Sequence, residues 1–333
     1  MSVGIRALRH IQLVKETTHG TQNSTATAIL IGKLEMTQDQ KYYRPEDMET
    51  GRLSSVERSY IVGEQAKLVF EADANYQQIC YILGMGIKGG VTGTGTASTG
   101  YTYTYLPNLA SANNVDTYTM QYGDNVQAFQ SGFCFAQDFE ISGSIDSELK
   151  VKANIVAQNV RTGTFTAALA NPTPLDPIIT GTCKLYNDST WAGLGTSQVS
   201  GTMIDFSYKV TTGITPVKYA DGNIYFTDMA EKKRHIELDM TMAFTASTAS
   251  VFASYIASPQ TKNFLRIKSA GPTIGTTTNA ELDLDGAFIV DTYGSLGERD
   301  GQDIVKVKWL SQWDSTASTE WQAIVRNSVV TLP

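Results

Sequence analysis

Over most of this chain apolar and polar residues alternate with a period of two, the pattern of half-buried strands and not of amphipathic helices. Ala66, Leu68, Phe70 and Ala72 interleave with Lys67, Glu71 and Asp73. Phe133, Phe135, Phe139 and Ile141 share one face of a second segment. Leu149, Val151, Ala153 and Ile155 share one face of a third, with Lys150, Lys152 and Asn154 opposite. The pattern returns at Ile236, Leu238, Met240 and Met242, then at Leu282 and Leu284, then at Ile304, Val305 and Val307. The fold class is therefore mainly β.

Two short segments carry helical spacing instead. Asn75 is placed to cap a helix whose stripe is Tyr76, Ile79, Ile82 and Leu83. Ser247 or Thr245 is placed to cap a second, with Val251, Phe252, Tyr255 and Ile256 on one face. Each follows directly on an alternating strand, and that shared order points to an internal duplication. The first copy reads strand 29–36, charged loop 44–63, strand 66–73, helix 75–84, strand near 117–122 and long hairpin 133–158. The second reads strand 203–210, loop 211–234, strand 235–244, helix 247–257, strand 263–268 and long hairpin 281–312. The hairpins also agree in chemistry. One strand of each carries carboxylates (Asp138 and Glu140; Glu281, Asp283 and Asp285) and the other lysines (Lys150 and Lys152; Lys306 and Lys308), a favourable pairing when the strands are antiparallel.

These patterns divide the chain into an N-terminal arm at 1–28 that orders against a neighbour, a first domain at 29–161, a linker at 162–180 rich in proline, and a second domain at 181–333. The stretch 88–114, rich in Gly, Thr, Ser and Ala, lacks a counterpart in the second copy. It reads as a flexible inserted loop or protruding hairpin with Tyr101, Tyr103 and Tyr105 at its centre.

Charge excludes one class of function. With 26 basic and 33 acidic side chains the net charge is −7, the opposite of the basic stripe that a nucleic-acid binder carries. Polar residues interrupt every apolar run before the roughly 20 positions a membrane helix needs, and 1–16 lacks the apolar core of a secretory signal. Cys80, Cys134 and Cys183 are too few and too scattered for a disulfide framework, and read as buried small hydrophobes in a protein made in a reducing cytoplasm. His10, His19 and His235 lie outside metal-ligand spacing of one another, so no metal site and no cofactor are expected.

Motif matches fail on context. Gly84-Met85-Gly86-Ile87-Lys88-Gly89 has the spacing of a dinucleotide loop but follows a helix instead of opening one. The run Glu281 to Gly286 starts like a calcium loop, yet Thr292 stands where the bidentate Glu belongs. Gly294-Ser295-Leu296-Gly297 is one residue short of a nucleophile elbow. No catalytic constellation emerges, and the expectation is a protein without enzyme activity. What remains is a pair of mixed-charge loops. The first holds Arg44, Glu46, Asp47, Glu49, Arg52, Glu57 and Arg58; the second holds Asp228, Glu231, Lys232, Lys233 and Arg234. Such loops suit pairing with the next copy in a stacked assembly.

The segment from Arg44 to Arg52, the strand at 66–73, the run Tyr76-Gln77-Gln78-Ile79-Cys80-Tyr81-Ile82-Leu83-Gly84 and the Phe133–Ala157 hairpin together resemble the major tail tube proteins of long, non-contractile-tailed (siphovirus-like) bacteriophages. The likeness is clearest over 29–160, with the second half a diverged copy. It implies two tandem tail-tube-like β-sandwich domains, each with one short flanking helix and a long hairpin contributing to a tube wall. Subunits of that family join their sheets into rings, and rings stack into a hollow conduit for DNA. A doubled chain implies trimeric, pseudo-hexameric rings. The implied lumen-facing carboxylates are Asp138, Glu140, Asp283 and Asp285, with Glu71, Glu237 and Asp239 on the preceding strands. The implied ring-stacking contacts are the two charged loops. The implied partners are further copies of the chain and other tail proteins (tape measure, tail terminator, distal tail), with double-stranded DNA as passing cargo and no membrane. The implied location is the virion tail, assembled in the host bacterial cytoplasm. A secretion tube of the same fold and a β-sandwich carbohydrate-binding or adhesin-like module are the alternatives.

Overall fold

In a computed structural model the described residues are 3–45, 58–172, 175–276 and 278–332. In chain order the first half contributes β1 (His10–Lys15), β2 (Ala28–Leu30), β3 (Lys33–Tyr43), β4 (Tyr60–Asp73), α1 (Ile79–Gly86), β5 (Thr94–Thr96), β6 (Gly100–Tyr105), β7 (Tyr118–Gly123), β8 (Ala128–Ser144), β9 (Lys150–Ala157) and β10 (Arg161–Gly163). The second contributes β11 (Lys184–Asp188), β12 (Met203–Thr211), β13 (Ile214–Val217), β14 (Asp228–Glu231), β15 (His235–Ala243), α2 (Ala246–Ile256), β16 (Asn263–Ile274), β17 (Thr278–Tyr293), β18 (Gly297–Arg299), β19 (Gln302–Ser311) and β20 (Trp321–Asn327). The protein is mainly β, and its large sheet system is antiparallel throughout.

Eight strands run edge to edge as one long sheet in the order β3-β4-β9-β8-β12-β15-β19-β17. Each half supplies four of them in the same spatial order, and the seam is the seven-residue pairing of β8 with β12. Behind this sheet lie two smaller ones. The first is β2-β1-β7-β8-β10; the second is β11-β16-β17-β20-β6-β5. β8 and β17 belong to both layers, because each is long enough to leave one sheet and enter the other. β8 makes that turn at Phe133, whose φ is +54°, next to a bulge between Ala136 and Asp138. β17 makes it near Gly286, where a Cβ would come within 2.3 Å of the Phe288 ring. The alternating apolar residues of both layers face inward and merge into one core through both halves, with Phe70, Phe139, Tyr208, Trp309 and Trp321 among its largest members.

Several expectations change at this level. Residues 10–15 are no loose arm: β1 pairs with β2 on one side and β7 on the other, and Leu13 is fully buried. The linker is threaded between elements. The Ile178 amide donates to the Ala74 carbonyl (2.9 Å), the Leu149 amide donates to the Ile178 carbonyl (2.7 Å), and the Ile178 side chain is buried. The inserted stretch does contain a hairpin, β5–β6, but it does not protrude freely. β6 pairs with β20 of the second half, and Tyr103 and Tyr105 are buried there. The tyrosine hydroxyls donate to the Val329 carbonyl (2.8 Å) and the Cys80 carbonyl (3.1 Å). The first helix starts one turn later than expected: Asn75 accepts from the Gln78 amide (2.7 Å) in a preceding turn, and Ile79 opens α1. α2 starts as a Thr245 cap directs, with a reciprocal capping box to Thr248.

Candidate functional site: the charged face of the long sheet

One face of the eight-stranded sheet is core and the other is polar. Cross-strand partners share a face, so the strand registers read as rows running across the sheet. The central row is Lys33, Glu71, Lys152, Glu140, Lys209 and Glu237, one residue from each of six successive strands, with the sign of charge alternating at every step. The row on one side is Asp73, Lys150, Ser142, Ser207, Asp239 and Lys308. The row on the other is Glu35, Val69, Asn154, Asp138, Thr211 and His235. The first two rows are charge-balanced, and Glu35 and Asp138 tip the face to net negative. Lys306, opposite Thr241, belongs to it as well.

The side chains make a lattice of short contacts. Lys152 meets Glu71 at 2.9 Å, Lys209 meets Asp239 at 3.0 Å, Lys308 meets Glu237 at 3.1 Å and His235 meets Glu237 at 2.9 Å. The Ser207 hydroxyl donates to Glu140 at 2.6 Å, and the Asn154 amide donates to Asp138 at 2.5 Å. Hydrogen bonding from Lys152 holds the Glu71 carboxyl below its ordinary range, and the same contact raises the Lys152 ammonium. The His235 contact, with Lys308, lowers Glu237 against the opposing effect of partial burial. Along the central row each charge faces an opposite one, whereas Glu35, Asp138 and Lys306 face uncharged partners across the strands.

Five of the carboxylates singled out in the sequence (Asp138, Glu140, Glu71, Glu237 and Asp239) meet on this one face. Asp283 and Asp285 do not. They lie in the half of β17 that belongs to the rear sheet, where their cross-strand neighbours are on β16 and β20 and not on the lysine-bearing β19. The hairpin symmetry misleads here because β17 changes sheet between these residues and the stretch that pairs with β19. Both carboxylates are buried, at 3% and 0% exposure, and so they are not open groups on a hydrated surface. Arg266 grips Asp285 with two bonds of 2.6 and 2.7 Å, and Gln322 donates to it at 2.8 Å. Lys268 and Arg326 both hold Glu281. Asp283 is left with one oxygen unpartnered; burial and the adjacent Glu281 raise its carboxyl to about 8.

The second charged loop is also more structural than expected. It carries the β13–β14 hairpin, which folds back over the first half. Phe226 fills a small second core with Val115, Phe133, Phe135, Val156 and Ile214, and its carbonyl accepts from the Gln158 amide at 3.0 Å. Glu231 accepts from the Asn113 backbone and side chain, both at 2.8 Å, and so ties the inserted stretch down. Asp228 accepts from the Tyr219 hydroxyl at 3.3 Å, and Arg234 is half-buried with its Nε lacking a partner. Lys232 and Lys233 are exposed. In the first loop Arg44 lies over the Tyr42 ring at 5.6 Å and Arg58 is exposed, while Glu46, Asp47, Glu49, Arg52 and Glu57 lie outside the described residues.

Sequence reading missed Lys33 and Lys209, the cations that complete the central row. Their signal was present in the alternation Lys33-Leu34-Glu35-Met36 and Ser207-Tyr208-Lys209-Val210, but only the cross-strand register turns it into a row. It also missed Glu16, which is buried and accepts from the Gly20 and Phe133 amides and the Thr117 and Thr119 hydroxyls, so fixing the bend of β8.

Among the described residues no cluster of His, Cys, Asp or Glu has metal-binding geometry, and no helix is long and apolar enough to cross a membrane. No protein-family model matches the chain, and no curated protein is significantly similar to it.

Proposed function

We propose that this chain is a structural subunit of a viral tail tube: two tandem tail-tube-like domains whose eight-stranded sheet is one segment of the wall of a hollow conduit for DNA, with its charged face inward. The observation that carries this reading is the long sheet itself. It has one alternating-charge face, and among the described residues its end strands β3 and β17 each pair on one side only over the stretch that belongs to it. Unpaired edges on long alternating strands are an aggregation hazard unless a partner closes them, and ring closure with identical copies removes both at once.

Barrel geometry supports a ring of three copies. At a strand spacing of about 4.8 Å and a tilt of about 40°, three sheets of this size close a barrel of roughly 48 Å backbone diameter, which side chains narrow to about 35 Å. Two would leave only about 20 Å, the width of a DNA duplex with no room for its hydration. Three copies, the number a doubled chain implies, are thus the smallest closed ring with room for a hydrated duplex, which supports a trimeric ring. The charge pattern suits passage and not capture: DNA carries about one negative charge per 1.7 Å, which a basic wall would hold in a salt-dependent way. A wall most of whose lysines face carboxylates across the strands, with a small negative excess, offers phosphate no such hold.

Negative-stain electron microscopy over a concentration series tests the reading. The expected result is three-fold rings, or hollow tubes of regular axial repeat. Monomers that stay dispersed when concentrated would overturn it in favour of a β-sandwich binding module.

A further inference from the structure

The two halves place equivalent elements at the inner seam and at the outer edges, and from that equivalence we infer the joint between copies: β17 of one copy pairs antiparallel with β3 of the next, in the register that β8 and β12 already show within the chain. The inference rests on the ring reading above and specifies the surface that closes the ring. The alignment follows from the registers. In the first half Lys33, Glu71, Lys152 and Glu140 are successive partners; in the second Ser207, Asp239, Lys308 and Thr292 are. Glu140 thus corresponds to Thr292, and Lys33 to Ser207. Across the inner seam Glu140 faces Lys209, two residues beyond Ser207. Its counterpart Thr292 would then face the residue two beyond Lys33 in the next copy, which is Glu35. Leu34 would face Tyr293, as Tyr208 faces Ile141 at the seam.

Burial around the two sites is compatible with this assignment. All eight residues of α1 beside β8 are buried, most of them under β6, β7 and the Asp116 segment of their own half, and at the seam end of the helix a Cβ on Gly86 would come within 3.1 Å of the Thr212 side chain just past β12. The corresponding helix beside β17 is bare. Only Thr248 and Val251 of α2 are buried, while Phe252 and Ile256 are 45% and 64% exposed. Phe252, Tyr255 and Tyr293 form an aromatic cluster at ring separations of 5.2–6.4 Å, directly at the unpaired edge. Facing the matching position on β3, an open groove runs beneath Gly32–Thr37 with Ile11, Tyr122 and Phe129 in its lining. An apolar patch at one end of the sheet and, at the other, a groove whose lining mixes apolar side chains with Arg6, Arg9, Lys33 and Asp124 suit a head-to-tail joint between identical copies. The Val290 carbonyl is already capped by the Gln260 amide at 2.9 Å, so the joint starts at Asp291.

Disulfide trapping tests the register. With Cys183→Ser removing the one thiol that is not fully buried, Glu35→Cys combined with Thr292→Cys should give reducible covalent oligomers ending at a trimer. Either single variant should give none, and neither should the pair Asp39→Cys with Thr292→Cys, four residues out of register. Phe252→Asp should leave the circular dichroism spectrum unchanged and raise the concentration needed for assembly at least tenfold. Assembly with no Glu35–Thr292 cross-link, equal trapping of the shifted pair, or assembly indifferent to Phe252→Asp would each overturn the joint. Tubes that form without the cross-link would do so while leaving the tail-tube reading standing. Cross-linked rings that never stack into tubes would support the joint and count against that reading.

Discussion

At the scale of single residues, the most consequential groups are buried carboxylates with opposite fates. Glu16 accepts four hydrogen bonds and stabilises the left-handed Phe133 at the bend of β8. Glu16→Ala orphans those donors, each costing on the order of 1–3 kcal/mol, so chemical denaturation should show a loss of at least about 3 kcal/mol. Asp283 is the reverse case. Its folded carboxyl lies near 8 whereas the unfolded one titrates near 4, so ionising it opposes folding, and its favourable contribution is complete below about pH 4 and lost as pH rises through 8. Asp283→Asn should therefore flatten the thermal stability profile between pH 5 and pH 9 (about the window of that shift) and leave the variant more stable than the parent at the alkaline end. A steeper decline in the variant would refute the assignment. Neither role was legible in the sequence. Glu16 sits in a polar stretch without periodicity, and Asp283 alternates as neatly as Glu140 does, because alternation reports a strand's two faces and not which sheet those faces belong to.

At the scale of elements, strand identity was readable and strand partnership was not. The alternation located β9, β15, β17 and β19 to within a few residues and the C-terminal parts of β4 and β8, which begin at Tyr60 and Ala128 and not at 66 and 133, since burial on one face requires that pattern. The sheet change within β17 and the docking of β6 onto β20 depend on contacts far apart in sequence, which leave no local mark. Two elements invite tests. The β13–β14 strap is anchored by Phe226, and Phe226→Ala should destabilise the chain by about 3–5 kcal/mol, as for other buried aromatics, measured by denaturant unfolding. On the long sheet Lys152 stands between Glu71 and Glu140. Lys152→Glu would set three carboxylates side by side, so its melting temperature should drop at low ionic strength and recover substantially in about 0.5 M salt, where charges are screened within a few ångströms. A salt-independent deficit would mean that the row contributes through packing and not through charge.

At the scale of the whole molecule, the organising fact is that each half supplies four strands, in the same spatial order, to one sheet whose two ends have no further strand partner among the described residues. The recurrence of strand order is what the sequence led us to expect, since element order and charge chemistry repeat together: lysines at 150 and 152 and again at 306 and 308 lie on the third strand of each half. The seam between the halves was not, because β8 and β12 carry no signal of their mutual register. We propose that seam as the pattern on which further copies join, and the charged face as the surface past which DNA moves. The most direct measurement is a side-chain-resolution cryo-electron microscopy map of the protein in its assembled form. The account predicts a three-fold ring with Lys33, Glu71, Lys152, Glu140, Lys209 and Glu237 lining a lumen of about 35 Å. A map with that row on the outer surface, or a particle without a central channel, would contradict it.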